Sequence, residues 1–406
     1  MTFIEQLLNG ENVEWKKLGE VITIEKGKQL NKSLLTESGE YPAYNGGVTF
    51  SGFTDKYNYS ENKIIISQGG ASAGFVNFIT TKFYANAHCY VVLPNISRVD
   101  NKYVYHLLKM NQENLMGKQL GAGIPALHTA NILGISIPIP CPDNPTKSLD
   151  IQHRIVEILD KFTELEAELE AELDCRKRQY EYYRNQLLSF DILNRGQKLN
   201  DVKIMTLGEI GTFVRGSGLQ KKDFTPTGVG CIHYGQIYTY YGTYAKKTKS
   251  FVTKEIAEKL KRVNYGDVII TNTSENIEDV CKAVVYLLKE QGVIGGHASI
   301  FKPSEKIIGK YLAYYTQTTD FAKEKRKFAK GTKVIDVNAK DLAKIKIPLP
   351  PLSVQREIVE ILDKFDTLTN SISEGLPKEI ELRRKQYEYY RNQLLSFSTV
   401  KEKYHG

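Results

Sequence analysis

The sequence predicts an α+β protein in which two similar mixed α/β domains are separated by a long antiparallel helix pair, a coiled coil. The main observation is a repeat: residues 179–190 and 386–397 both read QYEYYRNQLLSF, and residues 155–162 and 358–365 both read IVEILDKF. A second observation is that each copy follows a stretch with the composition of a globular domain. Because a chain that repeats about half its length later is built from two structural units, we expect an internal pseudo-two-fold repeat.

The repeated segments are predicted to be helices. In the first copy, apolar residues recur at steps of mostly three and four, the spacing of a helix face that packs on a partner helix. These residues are Ile151, Ile155, Ile158, Phe162, Leu165, Leu169, Leu173, Tyr180, Tyr183, Leu187 and Phe190. The two copies differ in length by four residues, about one helical turn, so the apolar face is roughly kept. The middle of the first copy reads LEAELEAEL at residues 165–173.

Short β-rich runs define the two globular units. Residues 63–67 in the first unit and 267–271 in the second are apolar runs bounded by turn-forming residues, as strands are. Both units open with Leu-Gly-Glu, at Leu18 and at Leu207. We therefore expect two domains of one fold whose sequences have diverged.

Prolines are predicted to separate each domain from its helix, because proline is excluded from a helix interior. The predicted linker prolines are Pro138, Pro140, Pro142 and Pro145 before the first helix and Pro348, Pro350 and Pro351 before the second. Residues 375–377 read Gly-Leu-Pro and predict a kink or break in the second helix. The resulting division is 1–147 for an N-terminal stub and the first domain, 148–195 for a central helical spacer, 196–352 for the second domain and 353–406 for a C-terminal helical spacer.

Composition restricts the class of protein. Lys and Arg number 55 against 47 Asp and Glu, and the net charge of +8 suits an anionic partner without proving one. The five cysteines are scattered without a C-x-x-C pair, which argues against a zinc site or a disulfide framework. The scattered cysteines also fit a cytoplasmic protein, and no apolar run is long enough to span a bilayer, so we expect no membrane partner.

The motifs of two enzyme classes are absent from the sequence. It contains no G-x-x-x-x-G-K-[ST] phosphate loop and no Asp/Asn-Pro-Pro-aromatic tetrapeptide of the amino-methyltransferases. Residues 70–74 read GASAG and match the G-x-S-x-G of a nucleophile elbow, but that motif requires a following helix, and the next residues read as a strand. A glycine-rich loop that approaches a ligand closely is the better interpretation of Ser72.

Polar and glycine-rich loops recur in both units and supply the candidate binding residues, because such side chains contact base edges and phosphates. The DNA-binding candidates are Lys26, Lys28, Asn45, Gln68, Ser72, His88 and Lys118 in the first unit, and Arg215, Lys221, Lys222, His233, Tyr234, Gln236, Asn272, Thr273, His297, Lys330 and Lys333 in the second. Any one of them alone is better explained as a solvated loop residue, and the two histidines at 88 and 297 equally well as structural. The prediction therefore rests on the set being mirrored across two units.

The duplicated helices also predict a protein interface. Tyr180 and Tyr183 recur as Tyr387 and Tyr390 and are expected to face the partner helix. Other duplicated residues are expected to point outward and to form a subunit interface: Tyr182, Arg184, Tyr389 and Arg391. An outward face that occurs twice suggests two copies of one partner.

Taken together, these features resemble the specificity subunit of type I restriction–modification systems, most closely the IC group. The resemblance covers essentially the whole chain, and its most specific parts are the paired helices, the IPIPCPDNP segment at residues 137–145 and the four-residue Leu/Glu/Ala repeats. It departs from the group in one respect: the repeats read LEAE rather than Thr-Ala-Glu-Leu, which leaves the spacer length open.

The resemblance implies a non-catalytic subunit with two target-recognition domains, each reading one half of an asymmetric, bipartite double-stranded DNA site. It also implies two modification subunits, which methylate adenine N6, and two restriction subunits with motor and nuclease activity. S-adenosylmethionine, ATP and magnesium would then be bound by those partners, and this chain would hold no cofactor of its own. The recognised bases cannot be read from the sequence.

A different class remains open at this point: a coiled-coil scaffold or a DNA-binding regulator unconnected to methylation. An unbroken helix over residues 152–190 would be about 58 Å long, enough to hold half-sites about 34 Å apart, one turn of DNA.

Overall fold

The computed structural model describes residues 3–118, 126–195 and 202–397, which form two compact units. Unit 1 consists of Met1–Glu168 and Ile380–Gly406, and unit 2 consists of Leu169–Glu379. Each unit therefore joins one globular domain to parts of the long helices.

Unit 1 contains the first domain. Its strands are β1 (Val13–Lys17), β2 (Ile22–Lys26), β3 (Tyr41–Tyr44), β4 (Gly52–Thr54), β5 (Lys63–Ser67), β6 (Val76–Ile79), β7 (Tyr84–Ala85), β8 (Cys89–Pro94) and β9 (Ser136–Pro140). Its helices are α1 (Phe3–Leu8), α2 (Asn101–Met110), α3 (Gln112–Gly117), α4 (Thr129–Leu133) and the first part of α5 (Pro145–Leu187). Most of a C-terminal helix, Leu376–Ser396, also belongs to this unit.

The central sheet of domain 1 has the order β2-β8-β5-β6 and is antiparallel throughout, and a small sheet, β4-β3-β7, packs beside it. Strand β5 is buried on both faces: Ile64 and Ile66 lie in the core formed with α2, whereas Ile65 packs with Phe83 from the side of the small sheet. A strand covered on both faces reads as a continuous apolar run, which is why residues 63–67 could be predicted correctly from the sequence.

Unit 2 contains the second domain and repeats this architecture. Its strands are β10 (Lys203–Thr206), β11 (Gly211–Arg215), β12 (Val229–Ile232), β13 (Tyr244–Ala245), β14 (Ser250–Val252), β15 (Lys261–Val263), β16 (Val268–Thr271), β17 (Thr273–Ser274), β18 (Ala283–Tyr286), β19 (Gly292–Ile294), β20 (Ala298–Pro303), β21 (Ile335–Asp336) and β22 (Lys346–Leu349). Its helices are α6 (Phe190–Arg195), α7 (Leu207–Ile210), α8 (Tyr234–Thr239), α9 (Lys254–Lys259), α10 (Gly309–Tyr315), α11 (Thr319–Arg326), α12 (Ala339–Leu342) and α13 (Leu352–Asn370). The C-terminal helix is α14 (Leu376–Ser396).

The two domains share one topology. The sheet β11-β20-β16-β18 corresponds to β2-β8-β5-β6, and β14-β12-β19 corresponds to β4-β3-β7, with the same parallel pair at its centre. Domain 2 adds α9 and β15; Ala257 of α9 and Leu260, which lies between the two elements, form a small core with Leu219 and Val293. The predicted fold class, two similar mixed domains with an internal repeat, is confirmed.

A buried glutamine joins each domain to its helix. In unit 1, Gln152 of α5 accepts a hydrogen bond from Asp100 N (2.9 Å) and donates one to Arg98 O (3.2 Å). In unit 2, Gln355 of α13 accepts from Ile308 N (2.9 Å) and donates to Lys306 O (3.0 Å). Both glutamines are fully buried. Because a buried amide that loses its partners is costly, each junction is held in one geometry.

The linker prediction for the prolines is wrong in part. Pro138 lies within β9 and Pro348 within β22, and each of these strands pairs with a single partner, β1 or β10. Proline is tolerated there because an edge strand does not need every backbone donor. Pro145 is the first residue of α5, where its missing donor costs nothing.

The long helices pair antiparallel in unit 1. Arg384 Nε donates to Glu166 Oε1 (2.8 Å), whereas Phe162, one turn earlier on α5, stacks on Tyr390, further along α14. The predicted break is present, since α13 ends at Asn370 and α14 begins at Leu376. Gly375 lies at φ +79°, and a Cβ there would be 2.4 Å from Thr367 O, so the break requires glycine.

No helix in the described ranges is long and apolar enough to cross a membrane.

Candidate functional site

The predicted binding residues of domain 1 meet at one end of its central sheet. Strand β2 ends at Lys26, β5 ends at Ser67 and β8 begins at Cys89, and the register of these strands places the three residues at the same edge. The loops are tied to each other: Gln68 N donates to His88 O (2.9 Å) and Gly27 N donates to Cys89 O (2.8 Å).

Glycines allow these loops to approach closely. A Cβ at Gly27 would lie 2.1 Å from Asn86 O, and one at Gly46, which has φ +80°, would lie 2.7 Å from His88 O. The buried Asn86 amide also accepts from Leu30 N (3.0 Å). The loops therefore bring five of the predicted residues together. Gln68 is half-buried, and the other four are exposed: Lys26, Lys28, Asn45 and His88.

Ser72 and Lys118 lie at the margin of this surface. Ser72 belongs to the turn that ends at Gly74, and a Cβ at Gly74 would lie 2.7 Å from Met116 N of α3. Lys118 follows α3 and is exposed. Strand β6 follows the turn, so the helix of a nucleophile elbow is absent, as predicted.

Domain 2 builds the same sheet end with different side chains. Asn272 N donates to His297 O (2.8 Å) and Gly216 N donates to Ala298 O (2.9 Å), the counterparts of the two bonds in domain 1. The Asn272 side chain is 1% exposed and is used internally: it donates to Val337 O (2.8 Å) and accepts from Ser299 Oγ (2.8 Å). Asn272 therefore positions the loop, and a direct contact with DNA is an untested prediction for it.

An open cleft of about 900 Å³ occupies this end of domain 2. Tyr234 lies between two histidines, its ring centroid 4.6 Å from that of His233 and 5.0 Å from that of His297. Thr273 Oγ1 hydrogen bonds to His297 Nδ1 (3.1 Å), and Lys221 stands at the rim. The cleft combines aromatic faces with hydrogen-bonding groups and a cation, the combination that contacts nucleobases and phosphates.

Two of the predicted residues act mainly as caps. His233 Nδ1 accepts from Gly235 N (3.1 Å) at the start of α8, so this nitrogen carries no proton. Burial, together with the charge of Lys221 and neighbouring His297, holds the pKa of His233 below its usual range. Gln236 accepts from His233 N (3.3 Å) and donates to Ser250 Oγ (2.6 Å), completing the cap.

The remaining basic candidates of domain 2 differ in whether their side chains already form an ion pair within the domain. Arg215, Lys222 and Lys333 are exposed. Lys330 forms an ion pair with Asp341 (3.0 Å), and together with Lys344 it lowers the pKa of that carboxyl to about 2. The Lys330 side chain is nevertheless 69% exposed, so this ion pair leaves it at the surface.

The duplicated tyrosines form an aromatic ladder in each unit. In unit 1, Tyr390 stacks on Phe162 (5.2 Å between centroids) and Tyr389 packs edge-on against Tyr390 (5.4 Å). In unit 2, Tyr183 stacks on Phe365 (5.6 Å) and Tyr182 packs edge-on against Tyr183 (5.4 Å). The outer tyrosines, Tyr182 and Tyr389, are 60% and 58% exposed.

The arginines of the predicted subunit interface lie beside the inner tyrosines. The guanidinium of Arg184 covers the Tyr180 ring (5.0 Å) and donates to Gln317 (3.1 Å), and Arg391 covers Tyr387 (5.2 Å). Both arginines are half-buried, and each is held against a tyrosine ring of its own helix.

Comparison with known proteins identifies the chain's relatives. The family model described as "Type I restriction modification DNA specificity domain" matches twice, at residues 10–174 and 200–382. The chain belongs to this family. It is 36% identical to the type I restriction enzyme EcoR124I/EcoR124II specificity subunit of Escherichia coli over 98% of this chain and 97% of that protein. It is 33% identical to the putative specificity subunit S.HindORF215P of Haemophilus influenzae, over 98% and 99%.

Solved structures support the same assignment at the level of the fold. The S subunit of the type I restriction–modification system of Mycoplasma genitalium has a TM-score of 0.60, with 22% identity over 95% of this chain and 97% of that one. A chain from a study of type I restriction–modification complex assembly also reaches 0.60. The protein is thus a specificity subunit, a non-catalytic component for DNA recognition, which decides against an unrelated scaffold or regulator.

The specificity subunit has cleft residues that sequence reasoning missed. Phe224, Lys249 and Asn276 line the cleft beside the predicted residues. A signal existed for Lys249, which ends the lysine-rich run that begins at Lys246. Phe224 lacks such a signal because a single aromatic residue in a loop is as often structural.

No group of three or more His, Cys, Asp or Glu residues suited to a metal lies within residues 3–118, 126–195 and 202–397 of the specificity subunit.

Proposed function

We propose that this specificity subunit reads an asymmetric, bipartite double-stranded DNA site, with one half-site contacted by each domain. The observation that carries the proposal is the equivalent sheet end in both domains, where the same backbone bonds hold different side chains. Equivalent frames favour equivalent placement on two groove segments, and different side chains favour different bases.

Within this proposal the predicted residues divide by chemistry. In domain 1, Lys26 and Lys28 contact phosphates, whereas Asn45, Gln68 and His88 are near base edges. In domain 2 the exposed cations form the phosphate-contacting set and the cleft side chains form the base-reading set. The phosphate contacts are Arg215, Lys221, Lys222 and Lys333, and the base contacts are Tyr234, Thr273 and His297.

Methylome sequencing of host DNA with two pairs of variants tests this assignment. We expect Gln68→Ala with His88→Ala to relax or abolish recognition of one half-site while leaving the other unchanged. Tyr234→Ala with Thr273→Ala should affect only the opposite half. Loss of specificity of about 1–3 kcal/mol per base contact is the expected scale. Both pairs changing the same half-site, or neither changing any, would refute the assignment.

We further propose that the two aromatic ladders bind two modification subunits, and that two restriction subunits join the modification complex. These partners carry out N6-adenine methylation and ATP-dependent cleavage, binding S-adenosylmethionine, ATP and magnesium. Exposed tyrosines are suited to interface centres because they combine large apolar area with a polar end. The duplication of the ladders supports a stoichiometry of two.

Replacing Tyr182 and Tyr389 by Asp tests the docking proposal. Each change places a charge in an apolar interface, and mass photometry should detect loss of one modification subunit per altered ladder. Tyr265→Asp is the matched control, since Tyr265 is 66% exposed in a loop of domain 2 away from the ladders in sequence. Unchanged assembly of the double variant would contradict the proposal.

The four-part division at 1–147, 148–195, 196–352 and 353–406 completes the proposal, with the helical parts acting as a spacer between half-sites. Adding one Leu-Glu-Ala-Glu unit after Glu172, which continues the four-residue repeat, lengthens the helix by about 6 Å and rotates the remainder of the helix by about 40°. The DNA spacer should then grow by one or two base pairs, each about 3.4 Å, with both half-sites unchanged.

A two-residue insertion at the same place is the control. It turns the apolar face by about 200° and should abolish assembly. If methylome sequencing finds an unchanged spacer in the longer variant, or activity in the two-residue variant, the helix does not set the distance. The IC-group assignment and a cytoplasmic location belong to the same proposal.

A further inference from the structure

The loop between β3 and β4 of domain 1 exposes apolar side chains. Val48 is 50% and Phe50 44% exposed, although both residue types are normally buried. Residues 45–52 read NGGVTFSG and contain no charged residue. Such a loop has no group for an ion pair with phosphate, so its contribution to binding must come from apolar contact or from uncharged hydrogen bonds.

The loop is held in place. Asn77 Nδ2 donates to Val48 O (2.9 Å), and Ser51 N donates to Ala43 O (2.8 Å). The Phe50 ring lies 4.9 Å from the ring of Phe53 on β4. Because neighbouring strands fix both the backbone and the ring, the apolar tip is pre-organised for contact and loses little entropy on binding.

The same loop is continuous with the proposed DNA surface. It starts at Asn45, and Gly46 packs against His88 and Ser67 at the end of the central sheet. The corresponding loop of domain 2, between β12 and β14, is instead rich in lysine, with Lys246, Lys247 and Lys249. The two domains thus present chemically different tips beside equivalent sheet ends.

We propose that Val48 and Phe50 contact the C5-methyl groups of thymines in the major groove of the half-site read by domain 1. The thymine methyl is the apolar group that base pairs display in that groove, and Phe is among the side chains that pack on it. This inference rests on the proposed function, since it places the loop on DNA. It assigns domain 1 a contact through an uncharged apolar loop, whereas the corresponding loop of domain 2 carries three lysines.

Uracil scanning of the DNA tests the inference. The specificity subunit in complex with its modification subunits is titrated with duplexes in which each thymine of the site is replaced singly by uracil, at constant salt. With the wild-type chain, one or more replacements in the first half-site should weaken binding about three- to five-fold, the effect of one buried methyl group. In a Val48→Ser, Phe50→Ser double variant those losses should disappear.

Matched controls make the result specific. Ile96→Ser changes a residue that is 75% exposed beyond the opposite end of β8, and it should keep the uracil effects of the wild type. Uracil in the second half-site should act equally on all variants. The inference is overturned if no uracil in the first half-site matters, or if the losses are equally large in the double variant.

Two further measurements separate this inference from the proposed function. Lys26→Gln with Lys28→Gln should weaken binding through lost phosphate contacts; if it does not, the DNA surface itself is misplaced and the inference falls with it. If it does, and no coupling to uracil appears, only the thymine contact is wrong. A rise in 2-aminopurine fluorescence that depends on Phe50 would show insertion between bases, which also overturns groove contact.

Discussion

Domain 1 and domain 2 share one arrangement of strands and helices but differ in surface chemistry. Between residues 15 and 140, Lys and Arg number 12 against 8 Asp and Glu, whereas between residues 203 and 350 they number 25 against 14. Domain 1 displays an apolar loop at Val48 and Phe50, and domain 2 displays a cleft around Tyr234 with cations at its rim. One fold therefore carries two different sets of side chains at the proposed DNA surface.

The comparison shows which parts of the sequence can change without a large loss of stability. The glutamine junctions and buried strands are alike in both units because a change there costs packing and buried hydrogen bonds. The exposed side chains of the loops at the sheet ends lie outside the cores, and surface substitutions usually change stability by less than about 0.5 kcal/mol. Specificity can therefore diverge while the frame is kept.

Exchange of a whole domain should give the largest effect. Replacing residues 15–140 with the equivalent domain of another specificity subunit should change one half-site completely and leave the other half-site unchanged. This is expected because the core of each domain is formed by contacts within its own unit. Methylome sequencing reports both half-sites at once. If both change together, the domains do not read DNA independently.

The buried polar contacts between domain and helix are expected to contribute unequally to stability in the two units. In unit 1, the neutral His106 ring accepts from Tyr387 (2.9 Å) and donates to Asp160 (3.0 Å), which also pairs with Lys102. In unit 2, the counterpart Tyr314 donates its hydroxyl to Asp363 (2.6 Å). His106 thus links three elements, whereas Tyr314 makes one bond of this kind.

We expect His106→Ala to lower the free energy of unfolding by about 3 kcal/mol, since it opens a cavity and leaves the Tyr387 hydroxyl without its partner. Tyr314→Phe removes only a hydroxyl and should cost about 1 kcal/mol, because Asp363 keeps Lys310. Chemical denaturation of each variant gives both values. Equal losses would mean that the two junctions are energetically equivalent.

Neutralising lysines at the cleft of domain 2 should weaken DNA binding and reduce its dependence on salt concentration. Lys221→Gln with Lys222→Gln should weaken binding to all sequences roughly ten-fold at physiological salt and reduce the salt slope by about two, one unit per lost phosphate contact. Binding titrations across salt concentrations measure both quantities. Lys289→Gln with Lys306→Gln removes the same charge from other parts of domain 2, and a similar drop in slope there would point to general charge rather than to these contacts.

The smallest expected effect is on the pH dependence of the free energy of unfolding. It comes from His106, which joins domain 1 to its helices and whose counterpart in unit 2 is Tyr314. Burial lowers the pKa of His106, although Asp160 acts against the shift. Below about pH 6.5, the ordinary histidine pKa, the unfolded chain takes up a proton that the folded chain does not, so stability falls as pH falls. Above that pH the contribution is fully present.

Comparing wild type with His106→Gln between pH 7 and pH 5.5 isolates this contribution, because His233, whose pKa is also lowered by burial, is present in both. The wild type should lose up to about 1 kcal/mol more than the variant over this range. Parallel pH profiles would show that His106 titrates as it does in the unfolded chain.

Local patterns in the sequence were enough to predict the elements of the frame. The repeated IVEILDKF and QYEYYRNQLLSF segments lie mostly within α5, α13 and α14, and the break falls at Gly375, because helix periodicity and backbone φ are properties of neighbouring residues. The apolar runs at β5 and β16 were predicted for the same reason. The sequence also indicated that the polar loops form equivalent sets in both units.

Only the tertiary structure decided whether a given residue lies in a strand or a linker, and whether its side chain is buried or exposed. Pro138 lies in a strand because β1 pairs with it, and nothing near Pro138 in the sequence indicates that partner. The Asn272 amide is buried and bonds to Val337 and Ser299, whereas Phe50 stays 44% exposed although its ring contacts those of Phe53 and Tyr44. The cleft is lined by several separate loops, the first at Lys221 and the last at Val334, so its shape follows from strand register and loop packing. Burial and hydrogen bonding of a residue are set by neighbours in space, which sequence spacing alone does not specify.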